Sequence, residues 1–255
     1  MIRAIVRQPS PHMADACELT HVARTPIDMD LAGKQHAAYA AALERLGATV
    51  TVLAPLPGHA DCAFVEDPLI VLPELVIVTR PGAASRQSEG ASLIAVAPTD
   101  RPHLTLSAPA TLEGGDVLRV GYTLYVGHSS RTNAEGIAAL SQAVTPHGYT
   151  IVAVPVPGAL HLKTAITALA PDLFVANPAW IDVGHFGAAH VIPVDPAEPF
   201  AGNILPVGDH LLTASAYART ADRITAAGFA LTRVDISEFA KAEAGLTCMS
   251  LIWQD

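Results

Sequence analysis

Three side chains with reactive potential lie far apart in the sequence. Cys248 sits in Gly-Leu-Thr-Cys-Met-Ser, where a small, flexible turn delivers a thiol at the start of an apolar run. His161 lies in Ala-Leu-His-Leu-Lys, and Glu113 opens the segment Glu-Gly-Gly-Asp. A thiol is a potential nucleophile, and imidazole and carboxylate groups transfer or orient protons. Each also has a structural explanation, since a lone cysteine is commonly a small buried apolar residue and a Gly-Gly segment a hairpin turn.

An acidic cluster is harder to explain by structure alone. Asp61, Glu66 and Asp67 fall within seven residues and have apolar neighbours. Unpaired buried carboxylates are expensive, so the cluster implies a cationic partner. That partner is either the chain's own Arg80 or Arg86, or a bound cation.

Two other segments predict tight local geometry. The glycines between Glu113 and Asp116 cost backbone entropy, and are usually kept where the chain turns sharply or approaches another group closely. Arg131-Thr-Asn-Ala-Glu has the pattern of a helix start, with Thr132 or Asn133 as the cap.

Short apolar strands alternate with alanine-rich helical segments such as Leu31 to Leu46, which indicates an α/β fold. A weak repeat refines this prediction. A strand pair, a polar turn and a helix start recur in residues 116–132 and 203–220, and a third copy is recognisable in residues 67–80. A period near the 49 residues that separate Asp67 from Asp116 divides the chain about five times. We therefore expect a closed ring of similar modules with its chemistry at the centre.

Composition excludes several classes of protein. A hydrophobic fraction of 51% and a charged fraction of 15% exclude a disordered chain. A net charge of -9 argues against a nucleic-acid partner and favours a cationic small molecule. No linker, charge block or low-complexity segment divides the 255 residues, so we expect one domain spanning residues 1–255.

Cellular context follows from similar arguments. Every apolar stretch is interrupted before it reaches the roughly 20 residues that a membrane helix needs, so no membrane association is expected. The N-terminal segment lacks the features of a signal peptide, and three scattered cysteines do not form a disulfide framework. We expect a cytoplasmic protein. The oligomeric state is left open, with a homodimer as one option.

Taken together, seven motifs resemble those of the dimethylarginine dimethylaminohydrolases, in order and in spacing, from about residue 30 to 252. The motifs are Phe64-Val-Glu-Asp, Thr79-Arg-Pro-Gly-Ala, Ser85-Arg, Leu112-Glu-Gly-Gly-Asp, Arg131-Thr-Asn, Leu160-His-Leu-Lys and Leu246-Thr-Cys-Met-Ser. The resemblance implies a five-bladed α/β propeller built from pseudo-five-fold ββαβ repeats. It also implies hydrolysis of Nω-methylated arginines, asymmetric dimethylarginine and monomethylarginine, to citrulline and the methylamine.

The resemblance implies a role for each site residue. Cys248 would be the nucleophile, His161 the general acid and base, and Glu113 the carboxylate that orients both the histidine and the guanidinium. The implied substrate-binding residues are Asp61, Glu66 and Asp67 for the guanidinium and amino nitrogens, Arg86 and Arg131 for the α-carboxylate, and Leu19 with the backbone of Ala242 to complete the site.

No cofactor is expected, because the implied chemistry needs only a thiolate, a proton donor and carboxylates that fix the guanidinium plane. No metal is expected either. Asp182, His185 and His190 are close in sequence, but their spacing matches no standard ligand motif.

Two alternatives remain open. An arginine deiminase shares the implied propeller and the Cys/His/Glu group, but commonly has an aspartate two positions after the histidine, where this chain has Lys163. A non-catalytic propeller that acts by surface contact belongs to a different class. One example of this class is a ribosome-binding factor of the same architecture. Such a protein would have no reason to combine Cys248, His161 and Glu113, and a net charge of -9 suits binding to ribosomal RNA poorly.

Overall fold

Five small sheets form the framework of the protein. The structure is a computed structural model, which describes residues 1–187 and 189–254. Each sheet has three strands, and its central strand is antiparallel to one neighbour and parallel to the other. The strands are β1 (Ile2–Arg7), β2 (Ala48–Leu53), β3 (Leu69–Val71), β4 (Val76–Val78), β5 (His103–Thr105), β6 (Val117–Val120), β7 (Thr123–His128), β8 (Thr150–Pro155), β9 (Ile166–Ala170), β10 (Leu173–Ala176), β11 (His190–Pro193), β12 (Leu205–Val207), β13 (His210–Ala214), β14 (Leu231–Val234) and β15 (Ser250–Gln254).

Helical segments link the strands within and between the sheets. The α-helices are α1 (Met13–Ala16), α2 (Met29–Arg45), α3 (Ala91–Ile94), α4 (Ala134–Val144), α5 (Leu162–Ala165), α6 (Ala218–Ala226) and α7 (Ser237–Ala240). Short 3₁₀ turns occupy Ala84–Arg86, Gly114–Asp116, Thr145–His147, Val183–Phe186 and Thr247–Met249. No helix in the described part of the chain is long and apolar enough to cross a membrane.

The same ββαβ order recurs five times, which confirms the predicted α/β repeat. In four modules a hairpin is followed by a helical segment and then by a strand parallel to the second hairpin strand. The fifth module combines the last described strand with the first part of the chain. β15 pairs with β1 in an antiparallel manner, and β1 continues through α2 to the parallel strand β2. The turn glycines Gly121 and Gly208 have the same φ of 59°, a left-handed conformation that favours glycine.

The helix predicted at Leu31 to Leu46 is present with shifted ends. It begins at Met29 because the Asp28 carboxylate accepts a hydrogen bond from Leu31 N at 3.0 Å and caps the first turn. It ends before Gly47, whose φ of 91° stops the helix. The predicted start of α4 is also confirmed, with Asn133 as the cap that accepts from Gly136 N at 2.8 Å.

The segment before the first hairpin strand of each module turns at the centre of the molecule. Asp67 precedes β3, Glu113 precedes β6, His161 precedes β9 and Cys248 precedes β15. Because the modules repeat, residues about 50 to 90 positions apart in sequence arrive at one place. The fold thereby assembles the candidate chemical groups that the sequence keeps apart.

Candidate active site

A buried carboxylate–imidazole pair lies at the centre of the site. Nε2 of His161 is 2.6 Å from Oε2 of Glu113, and both side chains are almost completely shielded from solvent. Glu113 is fixed from two other directions, since Gly82 N donates to its Oε1 at 3.0 Å and its own backbone N–H donates to Thr132 Oγ1 at 3.2 Å. The pair is therefore held in one orientation, as a proton-transfer group requires.

The two glycines that follow Glu113 make room for this pair. A Cβ on Gly114 would collide with the backbone carbonyl of Glu66. A Cβ on Gly115 would lie 2.7 Å from His161 Nδ1 and 2.8 Å from Asp67 Oδ1. The backbone N–H of Gly115 also donates to Asp67 Oδ1 at 3.0 Å. Close approach of neighbouring groups, and not a hairpin alone, explains the Gly-Gly segment.

Asp116 has a positioning role that sequence reasoning missed. Its carboxylate accepts Leu162 N at 2.8 Å and the Ser129 hydroxyl at 2.6 Å, which fixes the peptide directly after His161. Burial raises the pKa of Asp116 to about 6, although the charge of His161 and these hydrogen bonds act in the opposite direction. Its place at the end of Glu-Gly-Gly-Asp was the available signal.

Arg86 neutralises the acidic cluster from within the chain. Its guanidinium is paired with Asp67 at 2.7 Å and Glu89 at 3.0 Å, and it donates to the carbonyl of Phe64 at 3.0 Å. Glu89 was not singled out from the sequence. Of the two partners considered for the cluster, the chain's own Arg86 is the one found beside Asp67, whereas Arg80 donates to the backbone carbonyl of Ala110.

The carboxylates around His161 control its charge. Burial on its own lowers the pKa of His161, but Asp67, Glu113 and Asp116 outweigh it and raise the pKa to about 9. Burial likewise favours the neutral form of Asp67, yet His161 and Arg86 lower its pKa overall. At neutral pH the site therefore contains an imidazolium beside the ionised carboxylate of Asp67.

Cys248 is a buried thiol in a rigid turn. Burial raises its pKa strongly, and the charges of Asp67 and Glu66 raise it further, against smaller opposing effects of the Gly245 backbone and Lys163. The hydroxyl of Tyr39 in α2 lies 2.8 Å from the Leu246 carbonyl and 2.7 Å from Ser250 Oγ, on either side of the cysteine. A nearby cation would be needed to stabilise the thiolate.

Glu66 lies behind this turn and not in the cleft. Its carboxylate is 2.5 Å from Lys163 Nζ and accepts from Thr247 Oγ1 at 2.8 Å. Glu66, Lys163 and Thr247 line a different cavity of about 580 Å³ along the inner strands. The lysine that distinguishes this chain from the deiminase pattern therefore binds Glu66, on the side away from the cleft.

Most of the sequence-predicted site residues line one narrow cleft with a volume of about 20 Å³, room for about one water molecule. The predicted residues in its wall are Asp61, Asp67, Arg86, Glu113, Arg131, His161, Ala242 and Cys248. Glu66 and Leu19 are not in the wall, and Leu19 packs instead against the apolar core around α2. Glu18 and Glu243 line the cleft and were not predicted.

The donor set of the cleft also has the geometry of a possible metal site. Ligand atoms of Asp67, Glu113 and His161 lie within 4.8 Å of one another. These carboxylates are already neutralised by Arg86 and His161, so the arrangement is accounted for by ion pairing.

Comparison with known proteins identifies the family. The chain is 40% identical over 250 residues to the N(G),N(G)-dimethylarginine dimethylaminohydrolase of Streptomyces coelicolor, covering 98% of this chain and 96% of that protein. The chain belongs to the dimethylarginine dimethylaminohydrolase family. The Pseudomonas aeruginosa member is 32% identical over 249 residues, which cover 97% of each protein.

Solved structures of the family share the fold. A cysteine-to-serine variant of the Pseudomonas aeruginosa dimethylarginine dimethylaminohydrolase, complexed with citrulline, superposes with a TM-score of 0.93 at 32% identity and covers 98% of both chains. The N-terminal domain of a cyanobacterial arginine dihydrolase has a TM-score of 0.87 at 19% identity, which shows a shared fold. The arginine deiminase family model matches residues 92–205.

Replacing Gly115 by alanine tests the packing around His161. The added Cβ must displace His161 or Asp67, and a displacement of about 1 Å costs roughly a hundredfold in turnover. Gly33→Ala is the matched control, because this position in α2 has open space around it. Steady-state turnover measurements should show the loss only for Gly115→Ala. Equal turnover in both variants would contradict the proposed close contact.

The pH dependence of Cys248 alkylation tests its protonation state. Because the pKa of the thiol is raised, the rate of iodoacetamide labelling in the free protein should climb without levelling off up to pH 9. Mass spectrometry of the Cys248 peptide measures the rate separately from Cys17 and Cys62. A plateau by pH 7 would mean that a thiolate is already formed, and would be incompatible with the buried environment described above.

Proposed function

We propose that this protein hydrolyses Nω-methylated arginines to citrulline and the corresponding methylamine through a covalent intermediate on Cys248. The observation that carries the proposal is the buried Glu113–His161 pair in the same cleft as Cys248. Full-length similarity to the Streptomyces coelicolor dimethylarginine dimethylaminohydrolase supports the same substrate class. We further propose that residues 1–255 act as one catalytic domain without a metal or cofactor.

The first step couples substrate binding to formation of the nucleophile. The guanidinium brings a positive charge beside Asp67 and Cys248, which offsets the effect of Asp67 on the Cys248 thiol and lowers its pKa. The thiol loses its proton to solvent, and Sγ attacks the guanidinium carbon. The substrate therefore adds a positive charge to those of His161 and Lys163 and favours the thiolate.

Proton transfer by His161 completes both halves of the reaction. The imidazolium, whose pKa is about 9, donates its proton to the methylated nitrogen as the C–N bond breaks. This step releases the amine and leaves a thiouronium on Sγ. The neutral imidazole then takes a proton from water, which attacks the same carbon. The C–S bond breaks as the C=O bond of citrulline forms, the hydroxyl proton of the adduct passes to the departing sulfur, citrulline leaves and the thiol is restored.

Arg131 is the residue we assign to the α-carboxylate of the substrate. It is only 9% exposed, and within residues 1–187 and 189–254 no carboxylate lies at salt-bridge distance from it. Its guanidinium donates to the hydroxyl of Thr20 at 3.0 Å, a neutral partner that a carboxylate would replace favourably. Arg86 is already saturated by Asp67 and Glu89, so we assign it to fixing Asp67 instead.

The remaining acidic residues divide between the two ends of the substrate. Asp67 and Glu113 are assigned to the guanidinium, because both line the cleft beside His161. Asp61 is assigned to the amino group. Glu66 acts through Thr247, whose hydroxyl it accepts, and so supports the Cys248 turn from behind.

Arginine deimination is the second candidate, favoured by the match of residues 92–205 to the arginine deiminase family model. Deaminating arginine would use the same thiol and imidazole. Position 163, commonly an aspartate that grips the guanidinium in deiminases, is a lysine bound to Glu66 here. The cleft thus lacks that carboxylate, which favours methylated arginines.

Citrulline formation from asymmetric dimethylarginine and from arginine tests the proposal directly. The methylated substrate should give the higher kcat/KM. Cys248→Ser should lower turnover by about a thousandfold or more, because a hydroxyl is almost never ionised near neutral pH. Cys62→Ser, a buried thiol outside the cleft, is the control and should retain activity. A Cys248→Ser variant with a tenth of the normal rate would rule out the covalent route.

Arg131→Lys tests recognition of the carboxylate. Lysine keeps the charge but loses the bidentate geometry, so KM for asymmetric dimethylarginine should rise about tenfold or more. Agmatine lacks the carboxylate, and its weak turnover should be nearly the same in the variant and the native protein. Arg86→Lys should instead lower kcat/KM for asymmetric dimethylarginine and for agmatine by the same factor. An unchanged ratio of kcat/KM for the two substrates in Arg131→Lys would refute the assignment.

A further inference from the structure

A loop between α1 and α2 closes over the cleft. This entrance loop, residues 17–28, is bound to the cleft wall at its first residues. Glu18 N donates to the Asp61 carboxylate at 3.1 Å, and the Glu18 carboxylate accepts the hydroxyl of Ser85 at 2.5 Å. With the loop in this position the cleft holds about 20 Å³, far less than an arginine derivative occupies. The loop must therefore open to admit a substrate.

Glu243 holds two consecutive residues of the loop. Its carboxylate accepts Thr20 N at 2.6 Å and His21 N at 3.0 Å, two consecutive backbone donors of the loop. The Glu243 side chain has no cationic partner among the described residues, and the residue is 5% exposed. Its charge is thus directed entirely at the loop backbone, and such charge-assisted hydrogen bonds are stronger than neutral ones.

Glu243 adopts an unfavourable backbone conformation to reach the loop. Its φ is 60°, in the left-handed region that disfavours a glutamate. Among the described residues, no other residue apart from glycines has a positive φ. The turn is fixed on both sides, since Glu243 N donates to Ala240 O and Ala244 N donates to Phe239 O, each at 3.1 Å. Glycine would relieve the backbone strain at this position but would provide no carboxylate.

Two of the other attachments compete with substrate. Asp61 and Arg131 hold Glu18 and Thr20 in the closed loop, and both are assigned to the polar end of the substrate. A bound substrate therefore weakens these contacts, whereas Glu243 has no assigned substrate contact and keeps its hold on the loop. We propose that Glu243 is a positioning residue, the latch that holds the entrance loop closed over a bound substrate.

The latch predicts separable effects on loop motion and on kinetics. Glu243→Gln leaves one acceptor oxygen and places an amide NH2 donor near two backbone N–H groups, so the loop should open more often. Amide hydrogen exchange of residues 18–24 and trypsin cleavage after the exposed Arg24 should each accelerate about tenfold. KM should rise about tenfold while kcat changes less than threefold, because Glu243 does not contact the reacting atoms.

Two further variants complete the test. Glu243→Gly suits the φ of 60° and should fold at least as well, yet show the same loop opening. Glu198→Gln is the matched control, because the Glu198 carboxylate also accepts two consecutive backbone N–H groups, from Arg219 and Thr220 at 2.9 and 2.8 Å, at a site away from the cleft. It should change neither loop exchange nor KM.

The expected change in KM rests on the proposed function, whereas the expected change in amide hydrogen exchange of the loop does not. Faster loop exchange in both Glu243 variants, with none in Glu198→Gln, supports the latch even if asymmetric dimethylarginine is not a substrate. Loop exchange at the native rate in folded Glu243→Gly overturns the latch even if the native protein makes citrulline. A rise in KM without faster loop exchange also overturns it, since Glu243 would then act on the substrate by another route.

Discussion

Several carboxylates are buried together around one cleft, and the properties of the site depend on how their charge is balanced. Asp67 and Glu113 would be costly to bury unpaired, and Arg86 and His161 offset that cost. The balance is incomplete near Cys248, where burial, together with the charges of Asp67 and Glu66, raises the pKa of the thiol. A guanidinium supplies the missing charge. Under the proposed mechanism, one electrostatic arrangement therefore selects a cationic substrate, keeps His161 able to donate a proton and restrains the thiol until the substrate arrives.

The repeated fold makes this concentration of charge possible. Each module contributes a short segment before its first hairpin strand, and these segments converge at the centre. The module that begins at β12 contributes no reacting group, but its Asn203 binds both neighbours, donating to the Lys163 carbonyl at 2.8 Å and accepting Thr247 N at 3.1 Å. The segments that carry His161 and Cys248 are thus connected through a residue with a purely structural role.

Local sequence patterns predicted a large part of this arrangement. The strand pairs before Arg131 and Arg219 revealed the repeat, because both copies place a glycine at the same turn position. The copies at β9 and β15 escaped notice because the segments before them, around His161 and Cys248, lack the Asp or Asn that marks the others. The motifs identified the residues of the catalytic proposal, and the helix start at Asn133 followed from capping chemistry alone.

What the sequence did not predict depends on long-range partners. Glu66 and Lys163 are 97 positions apart, and Glu243 meets Thr20 across 223 positions, so no local pattern indicates either contact. Glu66 and Asp67 are the last two residues of the Phe-Val-Glu-Asp motif, yet the two adjacent carboxylates face different cavities. The two consecutive side chains of this turn point to opposite sides, and the sequence alone does not say which side becomes the cleft.

The pairing of β15 with β1 links catalysis to the order of folding. Cys248 lies two residues before the strand that joins the two ends of the described chain, so the thiol reaches its turn only when that seam forms. Contacts between residues so distant in sequence form late, because the closure entropy of a long loop must be overcome first. We therefore expect the Cys248 turn to become ordered together with the pairing of β15 and β1. The position of the thiol is thus coupled to closure of the ring, and a change that loosens the pairing of β15 with β1 is expected to disorder the Cys248 turn as well.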